Sequence, residues 1–266
     1  MDTPIITSAQ NPIIKQLRKL ATSSKARRDT SVYIAEGIHL TRSYLTAGLT
    51  PLRYICAESA LQNEEVIQLR QSLDEKQVEC VTISDDLFTS LATIHVNVGI
   101  IFLFTPQTPP PTPLPSSHSS ILLEDIQDPG NIGTILRTAT AAGIHSAFLS
   151  PGCTSPWSPK ALRAGMGAQF GITIYESINL QGIIAAAPIP TLVTTLSPNS
   201  QSLYSLNLTQ PVVWIFGNEG QGVSSALTQA ASTHVLIPQA DTPVESLNVA
   251  AAAAVCLYEQ YRQITA

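Results

Sequence analysis

Apolar and polar positions fall into two stretches of alternating strand-like and helix-like pattern, separated by a segment that shows neither. In the first stretch NPIIKQLRKLATSS carries apolar residues at helical spacing. The short runs SVYIAEG, LRYICAE and VECVTIS read as strands, with helical segments HLTRSYLTAG and NEEVIQLRQSL between them. The separator, residues 105–120 (TPQTPPPTPLPSSHSS), has six prolines and almost no side chain that could pack, so it reads as a semi-rigid linker. The expected layout is therefore a small α/β domain over 1–104, a linker over 105–120 and a second domain over 121–266.

In that second stretch the apolar runs SSILLEDI, HSAFLS, GITIYE, PTLVTTL, PVVWIFG and HVLIP alternate with the helical segments NIGTILRTATAAG, SPKALRAGMG, SSALTQAAS and SLNVAAAAAVCLYEQYRQ. Strand and helix in turn predict an α/β fold with a parallel sheet covered on both faces. Ligands on such sheets bind beyond the carboxyl ends of strands, which directs attention to the loops after ILLEDI, VVWIFG and HVLIP.

The first of these loops opens a helix of about three turns, with Asp128-Pro129-Gly130 as a turn, Asn131 as the expected N-cap and Gly143 as the left-handed residue that ends it. Its apolar stripe is Ile132, Ile135, Leu136 and Ala139, and Arg137 lies off that stripe as the helix's one charge. The second loop, Gly217-Asn218-Glu219-Gly220-Gln221-Gly222, has GxxGxG spacing. That order is wrong for a dinucleotide fingerprint, and no Lys-Ser/Thr follows as a P-loop requires, so a nucleotide-dependent enzyme is disfavoured. The third loop leads into a long helix expected to open around Glu245-Ser246-Leu247-Asn248. Alanines 250–254 follow, suited to close packing against another element or a second subunit.

Charge changes the picture at the N-terminus. The 266 residues hold 14 Lys+Arg against 19 Asp+Glu, a net charge of -5. Residues 1–53 nevertheless carry eight basic and three acidic side chains, leaving the other 213 residues at -10. Lys15, Arg18, Lys19, Lys25, Arg27 and Arg28 are the candidate contacts to a nucleic-acid phosphate backbone, with a solvated helix face as the plain alternative. No apolar run is long enough to span a bilayer and the N-terminus lacks a signal-like n-region, so a cytoplasmic protein is expected. Four scattered cysteines without a CxxC pair, and five histidines distant from one another in sequence, suggest no metal site and no disulfide framework. Trp157, Trp214 and the phenylalanines read as core, and His145 and His234 as structural.

The stretches DPGNIGTILRTA, SPKALRAGMGAQF, IFGNEGQGV and IPQADTPVESLNVAAAAA, in this order, resemble the motifs of the SpoU (TrmH-like) class of RNA 2′-O-ribose methyltransferases within the SPOUT superfamily. The resemblance covers nearly the whole second domain, whereas the first, with Tyr33-Ile34-Ala35-Glu36-Gly37, is similar to a small ribosomal-protein-like RNA-binding domain. It implies a parallel-sheet domain with a C-terminal trefoil knot, a homodimer, and S-adenosylmethionine as methyl donor. It further implies donor contacts from around Gly217, Asn218, Gly220, Ile237 and Leu247, and polar active-site positions at Asn131, Arg137, Glu219, Ser246 and Asn248. Residues 239–245 (QADTPVE) depart from the family's shorter, glycine-containing turn.

Methylation of a ribose hydroxyl is an in-line displacement that needs alignment and removal of a poorly acidic proton, with no metal required. A guanidinium is an obligate donor, so Arg137 fits a role in holding phosphate and stabilising developing alkoxide charge, with a neighbouring polar group or water assisting the proton. Glu219 is expected to orient Arg137 or Asn131. Ribosomal RNA is favoured over transfer RNA because the appended domain suits a folded target. A catalytically silent RNA-binding or assembly factor is the competing reading, against which the five polar positions argue.

Overall fold

The computed structural model describes residues 4–91, 99–107, 109–110, 113–197, 199–241, 243 and 245–266. The chain divides into two compact units, Met1–Gln107 with Trp157–Phe170, and Thr108–Pro156 with Gly171–Ala266.

In the first unit α1 (Pro12–Thr22) begins where Asn11 accepts the Ile13 amide ahead of Pro12 at the first helical position, and buries Ile14, Leu17 and Leu20 as one stripe. Then follow α2 (Ser24–Thr30), β1 (Tyr33–Glu36), α3 (Ile38–Thr46), β2 (Arg53–Ala57), α4 (Glu64–Glu75), β3 (Cys80–Ile83), α5 (Asp85–Leu91) and β4 (Ile100–Phe104). The strands form one sheet in the order β1-β4-β2-β3, in which β4 runs antiparallel to both of its neighbours and β2 is parallel to β3. The central strand β4 goes beyond the elements expected from pattern. All five residues of IIFLF are buried, as are all four residues of each of the segments 120–123, 146–149 and 213–216 in the second unit. Segment 157–170, which the sequence pattern groups with the second stretch, belongs to this unit. Trp157 and Phe170 join Tyr44, Phe102 and Phe104 in a cluster of tilted and edge-on rings, and Tyr44 and Phe170 stand 4.9 Å apart.

The remaining elements are β5 (Ser120–Leu123), α6 (Pro129–Ala141), β6 (Ser146–Leu149), the first unit's α7 (Pro159–Gly165), β7 (Thr173–Tyr175), α8 (Leu180–Ala185), β8 (Thr191–Thr194), β9 (Gln201–Ser202), β10 (Val213–Phe216), α9 (Ser225–Ala230), β11 (Thr233–Leu236) and α10 (Val249–Thr265). The second unit's strands pair in parallel throughout, in the order β7-β6-β5-β10-β8-β11-β9. This is the expected α/β fold with a parallel sheet. Ile132, Ile135, Leu136 and Ala139 of α6 are all fully buried, and Gly143 has φ +78 as the left-handed stop.

The proline-rich segment contributes to this core. Leu114 is buried among Leu122, Phe148 and Val193, and Ser119 is buried as well. Thr108, Pro111 and Thr112 of the expected linker lie outside the described residues. Helix α10 packs on α6 with Ala250 and Ala253 buried. Farther along it is pinned to the sheet by a buried network in which the Trp214 indole donates to Gln260 Oε1 at 2.8 Å and Gln260 Nε2 donates to Ser119 Oγ at 2.9 Å. Each polar atom named there has a partner, the condition under which buried polarity is tolerated. No helix among the described residues is long and apolar enough to cross a membrane.

Candidate active site

The loops after β5, β10 and β11 leave the same edge of the parallel sheet, and their side chains meet there. The meeting depends on where α6 begins. Asn131 is not its N-cap, as the sequence suggests. Asp128 is, accepting the amides of Gly130 at 2.6 Å and Asn131 at 3.1 Å, with Pro129 at the first helical position. An Asp directly before a Pro is itself a helix-start signal, and the helix begins three residues earlier than an Asn131 cap would place it. This frees the Asn131 side chain, whose Nδ2 donates to Glu219 Oε1 at 2.9 Å while its Oδ1 accepts from Asn248 Nδ2 at 3.1 Å. A continuous relay, Glu219–Asn131–Asn248, thus ties the three loops together, and its two ends settle the orientation of the Asn131 amide.

Both outer members are anchored in turn. Glu219 accepts from the Asp128 amide at 3.2 Å and the Gln127 amide at 3.3 Å. Partial burial opposes its ionisation, but the hydrogen bonds from Asn131 and from backbone amides outweigh that and hold its carboxyl below the usual range. Asn248 caps α10, accepting the amides of Ala250 at 2.9 Å and Ala251 at 3.3 Å. The helix therefore starts at Val249, and Glu245, Ser246 and Leu247 lie outside it, later than the expected opening at 245.

Arg137 stands apart from the relay. It is exposed on the side of α6 away from the buried stripe and has no hydrogen-bond or ion-pair partner among the described residues. Glu219 therefore orients Asn131 and not Arg137. Ser246 is exposed and without a hydrogen bond among the described residues.

Of the donor-loop positions, Gly217 is buried and so tightly placed that a Cβ would lie 2.3 Å from the Gly222 carbonyl carbon and the Val223 nitrogen. The loop folds back on itself at a separation only glycine permits. The Asn218 side chain is turned inward, with Oδ1 accepting the Gly220 amide at 2.9 Å and the Gln221 amide at 3.1 Å. Gly220 is exposed, Ile237 half-buried and Leu247 38% exposed. Exposed glycine backbone with two partly exposed aliphatic side chains suits an uncharged base and a ribose, and thus the adenosine part of S-adenosylmethionine. Thr242 and Val244 of the departing loop 239–245 lie outside the described residues.

In the first unit Lys15, Arg18, Lys19, Lys25 and Arg28 are exposed on α1 and α2. Arg27 is a correction to that basic set. It is 7% exposed, and its Nη1 donates to the carbonyls of Leu20 at 2.5 Å and Ala21 at 3.3 Å, closing the end of α1. Burial also lowers its pKa. Trp157 and Trp214 are core residues as expected, and His234 Nε2 donates to the Thr228 carbonyl at 2.8 Å in a structural role. His118 and His145, distant in sequence, meet edge to face at 5.1 Å. No group of three or more metal-ligating side chains occurs among the described residues.

A parallel α/β unit with polar side chains and a glycine loop gathered beyond its strand ends is the build of a small-molecule-dependent enzyme domain. Residues 118–258 match the SpoU rRNA methylase family, and residues 11–101 match the MRM3-like substrate-binding domain. A protein of Synechocystis described as an uncharacterized tRNA/rRNA methyltransferase is 34% identical over 98% of this chain and 95% of its own. The 23S rRNA (guanosine(2553)-2′-O)-methyltransferase RlmP of Bacillus subtilis is 29% identical, covering 95% of this chain and 97% of its own. The AdoMet-bound crystal structure of an rRNA methyltransferase from Sinorhizobium meliloti superimposes with a TM-score of 0.87 at 27% identity, over 98% of each chain. The chain belongs to the SpoU rRNA methylase family. It is an RNA methyltransferase, and its methyl donor is S-adenosylmethionine.

Proposed function

We propose that this protein methylates a ribose 2′-hydroxyl of ribosomal RNA. The observation that carries the reading is the Glu219–Asn131–Asn248 relay, which joins three loops separated by 88 and 117 residues in sequence. A guanosine of large-subunit RNA is the leading substrate, by analogy with the Bacillus relative of nearly equal length. Residues 1–104 bind RNA through the exposed face of Lys15, Arg18, Lys19, Lys25 and Arg28, residues 105–120 connect, and residues 121–266 carry the chemistry and the knotted C-terminal segment. The enzyme works in the cytoplasm as a homodimer. The exposed Tyr258, Tyr261 and Ile264 on α10 support that assembly, since such large apolar side chains on one helix suit burial against a second copy.

The donor, when bound by the 217–222 loop with Ile237 and Leu247, supplies an activated methyl group. The chain's own residues supply alignment and charge. Arg137, unpartnered and permanently cationic, holds a substrate phosphate and steadies negative charge as it develops on the 2′-oxygen. Glu219, its oxygens taken by three donors and its pKa held low, is an orienting acceptor and a poor base. It fixes Asn131, which with Asn248 and Ser246 borders the reacting hydroxyl, and the proton leaves to water.

Transfer of labelled methyl to separate pools of unmodified ribosomal and transfer RNA, followed by alkaline hydrolysis, tests this reading. Label in an alkali-resistant dinucleotide from the ribosomal pool is expected. Label from the transfer RNA pool alone reassigns the substrate, and the absence of transfer with no donor binding favours a silent RNA-binding factor.

A further inference from the structure

The loops after β5 and β10 are joined by more than the relay. Glu124 Oε2 accepts the Ser224 amide at 2.7 Å, and the Asp125 carbonyl accepts from Asn218 Nδ2 at 2.8 Å. Asn218 also gathers the Gly220 and Gln221 amides, so it braces the glycine loop from within. Its own place depends on where the Asp125 carbonyl points. Asp125 has φ +53, in the left-handed region that non-glycine residues enter only where surrounding structure over-determines them.

That surrounding structure comes from a fourth loop, after β6. Ser150 Oγ accepts from the Asp125 amide at 2.9 Å and donates to Asp125 Oδ1 at 2.5 Å, a reciprocal pair that closes on both sides of the strained residue. Gly152 makes room for it, because a Cβ there would fall 2.2 Å from Asp125 Oδ1. Cys153 fastens the same loop to the end of β5, donating to the Leu123 carbonyl at 3.2 Å. Burial raises the Cys153 pKa, which keeps the thiol protonated for that bond. The loop at 150–153 is thus fitted to the Asp125 side chain by the Ser150 hydroxyl and by Gly152, and to the end of β5 by Cys153.

We infer that Asp125 and Ser150 are positioning residues for the methyl donor. They set the direction of the Asp125 carbonyl, which sets Asn218, which sets the glycine loop on which the donor rests. The inference rests on the methyltransferase reading above and adds to it two residues that act through Asn218. A displacement of about 1 Å in such a support is enough to degrade alignment.

The test is donor binding by calorimetry to the full-length protein and its Ser150→Ala, Asp125→Gly and Asp125→Asn variants. Glycine keeps access to the left-handed conformation but loses the link to Ser150, whereas asparagine keeps both the conformation and the Oδ1 acceptor. Ser150→Ala and Asp125→Gly should each weaken S-adenosylmethionine binding about tenfold, and Asp125→Asn by no more than about twofold. Unchanged affinity in both Ser150→Ala and Asp125→Gly overturns the inference, as does equal weakening in all three variants. Amide exchange at Gly220 and Gln221, measured without donor, gives a second reading: faster exchange in the first two variants is expected, and unchanged exchange overturns the inference. Should the wild type itself fail to bind donor, the methyltransferase reading fails, and the exchange rates still decide whether Asp125 and Ser150 hold the loop.

Discussion

Two polar networks share strand β10 and helix α10 and differ in almost everything else. At the sheet edge Glu219 and Asn248, both exposed, and the half-buried Asn131 form a solvent-accessible relay between loops. In the interior Trp214, Gln260 and Ser119 form a buried one. Water can replace any partner lost from the first but none lost from the second, so the same kind of hydrogen bond serves orientation in one place and stability in the other. The two are also connected. Asn248, the N-cap of α10, and Gln260 within the helix are twelve residues apart, about 18 Å along its axis, so the buried anchor holds the helix whose cap is Asn248.

The largest expected effect falls on activity alone. Arg137→Ala should lower methyl transfer about 10²–10³-fold with the melting temperature unchanged, because the guanidinium has no partner to lose in the folded chain. Arg137→Lys should retain only weak activity, since a point charge lacks the planar fork; full activity there would show that charge alone suffices. Gln260→Ala tests the other side. It leaves the Trp214 indole N–H and the Ser119 hydroxyl short of partners in the interior and should cost about 2–4 kcal/mol in denaturant unfolding. A loss of activity in that variant larger than its loss of folded protein would mark the coupling through α10.

Arg27→Ala should destabilise by about 1–2 kcal/mol and leave RNA affinity nearly unchanged, as befits a group buried against the end of α1. Lys15, Arg18 and Lys19, in contrast, should each reduce the salt dependence of RNA binding by about one ion when neutralised, with no effect on stability. The finest test is pH. The carboxyl of Glu219 is held below its ordinary pKa, so its contribution is complete above the unfolded value and is lost only as pH falls through the lower folded one. The midpoint of the pH-dependent change in the Asn131 side-chain amide resonances should therefore lie below that of an ordinary glutamate, and a midpoint at or above it would contradict the hydrogen bonds from Asn131 and the backbone amides to Glu219.

How much was legible depends on whether the signal was local. Apolar runs marked most strands of the parallel sheet, apolar period marked the stripe of α6, and the motif residues at 131, 137, 219, 246 and 248 could be nominated from the chain alone. β4 was not among the elements expected, although its run IIFLF is buried throughout in the same way as β5, β6 and β10, and its pairing between β1 and β2 is a relation between distant segments that no local pattern carries. Nor was the burial of Arg27 legible, since charge reads the same on paper whether it faces water or a helix end.

Sequence by itself determined the alternation of elements, the basic N-terminus and the family, because periodicity, charge and motif order are properties of neighbouring residues. Tertiary structure decided which polar groups face one another. It released Asn131 from capping by starting α6 at Pro129, and it paired Glu219 with Asn131 while leaving Arg137 free. It also braced Asp125 with Ser150, 25 residues away. The physical reason is that a hydrogen bond needs its partners within about 3 Å in space, a condition met by strand order and helix start, on which residue identity along the chain is silent.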